Sequence, residues 1–284
     1  GMSDTGGMAP PPPPPPSGGG GFHERGLGDI LSAAWNLYMK NAAQLIQIVA
    51  IVVVPLALLQ AFLLQVVIKP CVVREVDSLG DLEDLVNRCS GGLGRTLLAG
   101  ALTFFISVAV QQLLVGALIR GGAGSLLGRP VDVGASYKYA FSRLGGLIGL
   151  AFLIAIVVGI GFILLIIPGV IFAVFLSMAV PAFIVERKGV TDAMSRSWNL
   201  VSGSWWFVLG VIVVAGILAS IVTGILNAIG GNNFFLYWIF STIGLLITAP
   251  FTALVTIVLY VDLRIKREQL TPEVLAGELD VASA

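Results

Sequence analysis

Residues 144–185 run for 42 positions without one charged side chain. A spanning helix takes about 20 mostly apolar residues, so the run is long enough for two membrane crossings and too long for one. Pro168-Gly169 falls inside it. Proline lacks an amide hydrogen and breaks a helix, and glycine tolerates a turn, so the step predicts a hairpin of spans 144–167 and 169–185. Apolar stretches at 43–68, 96–119, 204–229 and 235–261 read as four more spans. The composition agrees, with 57% hydrophobic and 11% charged residues, where a soluble domain has about 25% charged. The expected fold is an all-α membrane protein with six transmembrane helices.

Sixteen basic and 16 acidic side chains cancel, which argues against a nucleic-acid partner. Their distribution says more. Arg25, Lys40, Arg120, Arg129, Lys138, Arg143, Arg187, Lys188, Arg196, Arg264, Lys266 and Arg267 all fall on one side of a six-span chain. Only Lys69, Arg74, Arg88 and Arg95 fall on the other, among five carboxylates from Glu75 to Asp84. The excess of lysine and arginine marks the cytoplasmic side, so both termini are expected in the cytoplasm of a plasma-membrane protein. Cys71 and Cys89 are the only cysteines and lie in the outer segment 69–95. That side is oxidising, and a disulfide between them is expected, the alternative being two unpaired thiols. Asp81, Glu83 and Asp84 lack the spacing of a calcium loop.

Residues 1–26 are a different material: Pro10–Pro16, then Ser17 and four glycines. They read as a disordered cytoplasmic tail of polyproline and flexible linker. The membrane domain is expected over 27–267, with 268–284 a short cytoplasmic tail.

A partial internal repeat precedes the spans. Residues 28–37, GDILSAAWNL, match 191–200, TDAMSRSWNL, at Asp29, Ser32, Trp35, Asn36 and Leu37 against Asp192, Ser195, Trp198, Asn199 and Leu200. Residues 131–143 are a looser third copy. The periodicity is helical and amphipathic, too polar to cross a bilayer and too apolar to leave it. The expected architecture is three repeats, each an interfacial helix followed by a transmembrane hairpin.

No ionisable residue lies in the middle of a span, which disfavours a buried-carboxylate proton relay. Gln111 and Gln112 in the second span, and Thr248 and Thr252 beside Pro250 in the sixth, could line a polar path; interhelical hydrogen bonds are the plainer reading. Gly145 with Gly149, and Gly216, Ser220 and Gly224, have the spacing of close helix packing. No zinc, phosphate-loop or nucleophile-elbow motif occurs, and the single histidine, His23, lies in the tail. No cofactor and no catalytic activity are expected.

Two stretches, IPGVIFAVFLSMAVPAFIVERKGVTDAMSRSWNLVSGSWW at 167–206 and APFTALVTIVLYVDLRIKREQL at 249–270, join the opening GLGDILSAAWNLYMKN. Together they resemble the membrane domain attached to some glycerophosphoryl diester phosphodiesterases, which also occurs in stand-alone bacterial membrane proteins. The resemblance covers most of the chain from residue 26. In the fused relatives catalysis belongs to a separate soluble barrel, for which no stretch here is polar or long enough. Motif residues Pro181, Glu186, Arg196, Asp262 and Arg264 all fall near the cytoplasmic face. Glu186 and Asp262 are expected to pair with Arg196 or Arg264. The implied role is a non-catalytic module acting on membrane lipids, a protein partner or a second copy; the alternative is a transporter or lipid translocator.

Overall fold

The computed structural model describes residues 25–63, 79–231 and 233–281. These are helical, with no strand among the described residues. The helices are α1 (Leu27–Leu63), α2 (Leu79–Leu126), α3 (Val133–Ser142), α4 (Leu144–Leu164), α5 (Ile166–Leu176), α6 (Ala179–Val185), α7 (Val190–Val201), α8 (Trp205–Gly230), α9 (Phe234–Glu268) and α10 (Pro272–Val281). Six stretches are long and apolar enough to cross a membrane: Leu27–Leu59, Thr103–Leu126, Leu144–Leu164, Ile166–Val185, Trp205–Gly230 and Phe235–Glu268. The chain is a multi-pass α-helical membrane protein. Large apolar side chains stand exposed along α4 and α8, including Phe152, Ile156, Ile160, Ile217, Ile221 and Ile225. Water penalises such a surface and hydrocarbon does not.

Several boundaries differ from the sequence reading. The expected first interfacial helix and first span form one element, α1, bent at Asn41 (φ −123°, ψ 20°). The Asn41 side chain donates to the Leu37 carbonyl at 3.1 Å, holding the bend. The segment 69–95 is not all loop: from Leu79 it is helical and continuous with the second span. At 48 residues, α2 is about 70 Å long, more than twice a hydrocarbon core. Cys89 lies in this helix, whereas Cys71 and residues 1–24 of the N-terminal tail lie outside the described residues.

The α4–α5 hairpin turns at Leu165 (φ −167°, ψ 157°) and not at Pro168-Gly169. Pro168 sits in the first turn of α5, where a missing amide hydrogen breaks no helical bond, so the proline starts the helix it was expected to end. Gly169 is needed for proximity: a side chain there would collide with the Phe162 ring, and one on Gly161 would lie 2.9 Å from the Gly169 Cα. By contrast, among the described residues Gly145, Gly216 and Gly224 face open space, and of the glycines in the expected small-residue seams only Gly149 meets a neighbour, with Val190 3.9 Å from where its Cβ would stand. The fourth crossing is itself interrupted at Ser177-Met178, between α5 and α6.

The core gathers around the last third of α9. Leu254, Val255 and every residue from Ile257 to Ile265 are buried. A helix buried all round must be central, and α1, α2, α6, α7 and α8 pack on α9. Residues 268–281 do more than trail from α9. Thr271-Pro272 starts α10, and Leu275 and Leu279, one turn apart, are buried.

Candidate functional site: an ion network at one end of the bundle

The last two turns of α9 carry Tyr260, Asp262, Arg264, Lys266 and Glu268. Positions three or four apart share a helix face and positions two apart do not. Tyr260, Arg264 and Glu268 therefore form one stripe, and Asp262 and Lys266 another.

The first stripe meets Glu186, at the end of α6, and Arg196, in α7. Arg196 Nε donates to both Glu186 oxygens at 2.8 and 2.9 Å. Its Nη1 pairs with Glu268. Arg264 lies 3.7 Å from Glu186 and 3.4 Å from Glu268 through Nε. Its two terminal nitrogens grip Glu278 of α10 at 2.7 and 2.9 Å, a bidentate pair. The Tyr260 hydroxyl donates to Glu186, and Lys188 stands 3.4 Å from the same carboxylate. The Glu186 and Arg264 side chains are only 8% and 5% exposed. Three carboxylates thus face three cations, and the cluster is formally neutral. Burial would lower the Arg196 pKa, but the bonds to Glu268 and Glu186 outweigh it and the net shift is upward.

Asp262 does not join this cluster, contrary to expectation. It is fully buried on the other stripe. Its Oδ1 accepts the Arg25 backbone amide at 2.6 Å. Lys266 Nζ approaches Oδ2 at 2.7 Å, off the hydrogen-bonding direction, as an ion pair. Lys266 also donates to the Arg25 carbonyl and lies over the Phe207 ring at 4.2 Å. Asp262 and Lys266 thereby tie the chain just before α1 to α9.

Around these stripes, arginines bridge chain segments through carbonyls. Arg143 donates to the Lys188 carbonyl at 2.8 Å and lies over the Phe183 ring. Arg120 donates to the Leu279 carbonyl at 2.6 Å, and Arg129 pairs with Asp280 at the same distance. That bond holds the Asp280 carboxyl below its ordinary range. The Tyr137 hydroxyl donates to the Ile48 carbonyl, and burial raises its pKa to about 12.

The repeated residues act separately. Asp29 accepts the Gly26 amide at 3.0 Å and caps the start of α1. Trp35 meets Phe251 edge-on at 6.3 Å, and Trp198 stacks on Phe175 at 4.0 Å. Asn36, Asp192 and Asn199 are exposed. Unforeseen was Ser197. Its hydroxyl accepts the Met178 amide at 3.0 Å and donates to the Phe175 carbonyl at 2.6 Å, satisfying the break between α5 and α6.

Gln111 and Thr248 line a cavity of about 460 Å³ with Thr223, Ser241 and Thr242. Gln112 and Thr252 do not line it. The threonine hydroxyls donate to carbonyls of their own helices, Thr248 to Gly244 at 2.8 Å and Thr252 to Ala249 at 3.0 Å. Among the described residues no group of His, Cys, Asp or Glu is arranged to hold a metal.

The sequence reading missed Tyr260, Glu268 and Glu278. The first two are readable in retrospect from their four-residue spacing about Arg264. Compared with protein-family models, with curated proteins and with solved structures, the chain matches none.

Proposed function

We propose that this chain is a non-catalytic module of the plasma membrane, with both termini in the cytoplasm, that engages lipid or a partner at its charged end. The observation that carries the reading is the neutral network of Glu186, Lys188, Arg196, Arg264, Glu268 and Glu278. Each carboxylate there has a cation, so none stands free as an acid or base. Such a set clasps helices and leaves the surrounding surface to do the recognising. The gathering of cations at this end supports the orientation. The motif stretches at 167–206 and 249–270 support kinship with the phosphodiesterase-associated membrane domain. Short helices α3 and α7, and the part of α1 before Asn41, each precede a span and support the three-unit repeat. A Cys71–Cys89 disulfide belongs to the same reading.

The test is accessibility. Single cysteines at Lys138 and Asn233, in a chain lacking Cys71 and Cys89, are exposed to an impermeant thiol reagent on intact cells. Labelling at 233 alone is expected. Labelling at 138 alone, or at both, overturns the orientation. A second reading, transport, is favoured by the cavity at Gln111 and Thr248. The hydroxyl bonds to their own helices weigh against it, since groups so engaged offer a solute little.

A further inference from the structure

A groove of about 680 Å³ runs between α5 and α8. Its walls are Ile166, Ile167, Val170, Ile171 and Phe175 on one side and Trp205 and Trp206 on the other. Its floor at the charged end is Ser202 and Gly203. The same two residues seat Arg267. The Arg267 guanidinium donates to Ser202 Oγ at 3.4 Å and lies so close over Gly203 that any side chain there would collide with it. Among the described residues no carboxylate lies within ion-pair distance of Arg267, in contrast to Arg196, Arg264 and Arg129.

Further donors lie at this mouth. Ser204, at the start of the 26-residue α8, makes no side-chain cap, which leaves the first amides of that helix free. Arg267, without a carboxylate partner among the described residues, and a helix start meet where an apolar channel opens.

We propose that this groove holds an anionic phospholipid of the leaflet facing the charged end. One acyl chain lies between α5 and α8, and the phosphodiester sits on Arg267, Ser202 and the start of α8. A helix N-terminus and an arginine both suit a phosphate oxygen. A soluble anion would use the mouth and leave the apolar walls idle. A neutral lipid would use the walls and leave Arg267 idle. The proposal rests on the reading of the chain as a lipid-engaging module and names its ligand class.

The test uses the full chain in detergent, equilibrated with equal phosphatidylglycerol and phosphatidylcholine, with retained lipid counted by native mass spectrometry. Wild type is expected to retain phosphatidylglycerol preferentially. Arg267→Gln removes the charge, and Gly203→Ala displaces the guanidinium without removing it. Each is expected to lower phosphatidylglycerol retention about fivefold, the effect of one basic group near an anionic surface, with phosphatidylcholine little changed. Ile171→Trp, which fills the channel, is expected to lower both lipids. Arg267→Lys is expected to restore most of the preference. Equal retention in wild type, Arg267→Gln and Ile171→Trp overturns this site while leaving the lipid-engaging reading intact. Wild type that retains neither lipid overturns both. Displacement of phosphatidylglycerol by inorganic phosphate alone also overturns the proposal, because the walls would then contribute nothing.

Discussion

The two halves of α9 treat polar side chains in opposite ways. Before Tyr260, Thr242, Thr248, Thr252 and Thr256 each donate to a carbonyl of α9 itself. Near its end, Tyr260, Asp262, Arg264 and Glu268 reach α6, α7, α10 and the chain before α1. The first half keeps its polarity private, so neighbouring helices meet apolar surface and geometry alone decides how they pack. The second half makes its polarity the means of assembly. A buried charge without its partner is costly, so these contacts specify which segments come together.

The largest test of that contrast is Glu186→Ala. It leaves Arg196 and Arg264 with fewer acceptors and strands the Tyr260 hydroxyl. Unfolding in detergent with added sodium dodecyl sulfate is expected to show a loss of about 3 kcal/mol or more. Tyr260→Phe removes one donor and leaves the ion pairs, and about 1 kcal/mol is expected by the same assay. Thr252→Val, in the private half, should cost no more than about 0.6 kcal/mol. A Thr252 effect equal to that of Tyr260 would erase the distinction.

The smallest effect concerns α10. The Asp280 carboxyl, bonded to Arg129, has a folded pKa below its ordinary 3.8. Its contribution is therefore complete above the ordinary value and is lost as pH falls through the folded one. Protease cleavage of α10 should quicken below about pH 4 in wild type. In Asp280→Asn it should show a weaker acid dependence.

How much of this was legible depends on what fixes each feature. Six spans follow from solvation, and solvation is written in composition; their number and rough positions were readable. Boundaries follow from local backbone chemistry. Pro168 was misread because a proline looks the same whether it ends a helix or begins one, and only the extended Leu165 decides. The meeting of Glu186 with Arg196 and Arg264 was readable from opposite charges at one depth. The exclusion of Asp262 was readable too, had helical spacing been applied: two residues from Arg264, it must face the other way. The cluster's third acid, Glu278, was not, because residues 268–284 were taken as a tail. The Leu275–Leu279 spacing was the overlooked signal.

Ser197 has a consequence for the order in which the chain can be finished. Synthesis delivers the Phe175 carbonyl and the Met178 amide about twenty residues before the hydroxyl that serves both. Until α7 emerges, the fourth crossing holds an open gap in its ladder between α5 and α6. The nascent crossing must wait, partly made, for a serine still inside the ribosome, so its completion is tied to translation of the helix that follows it.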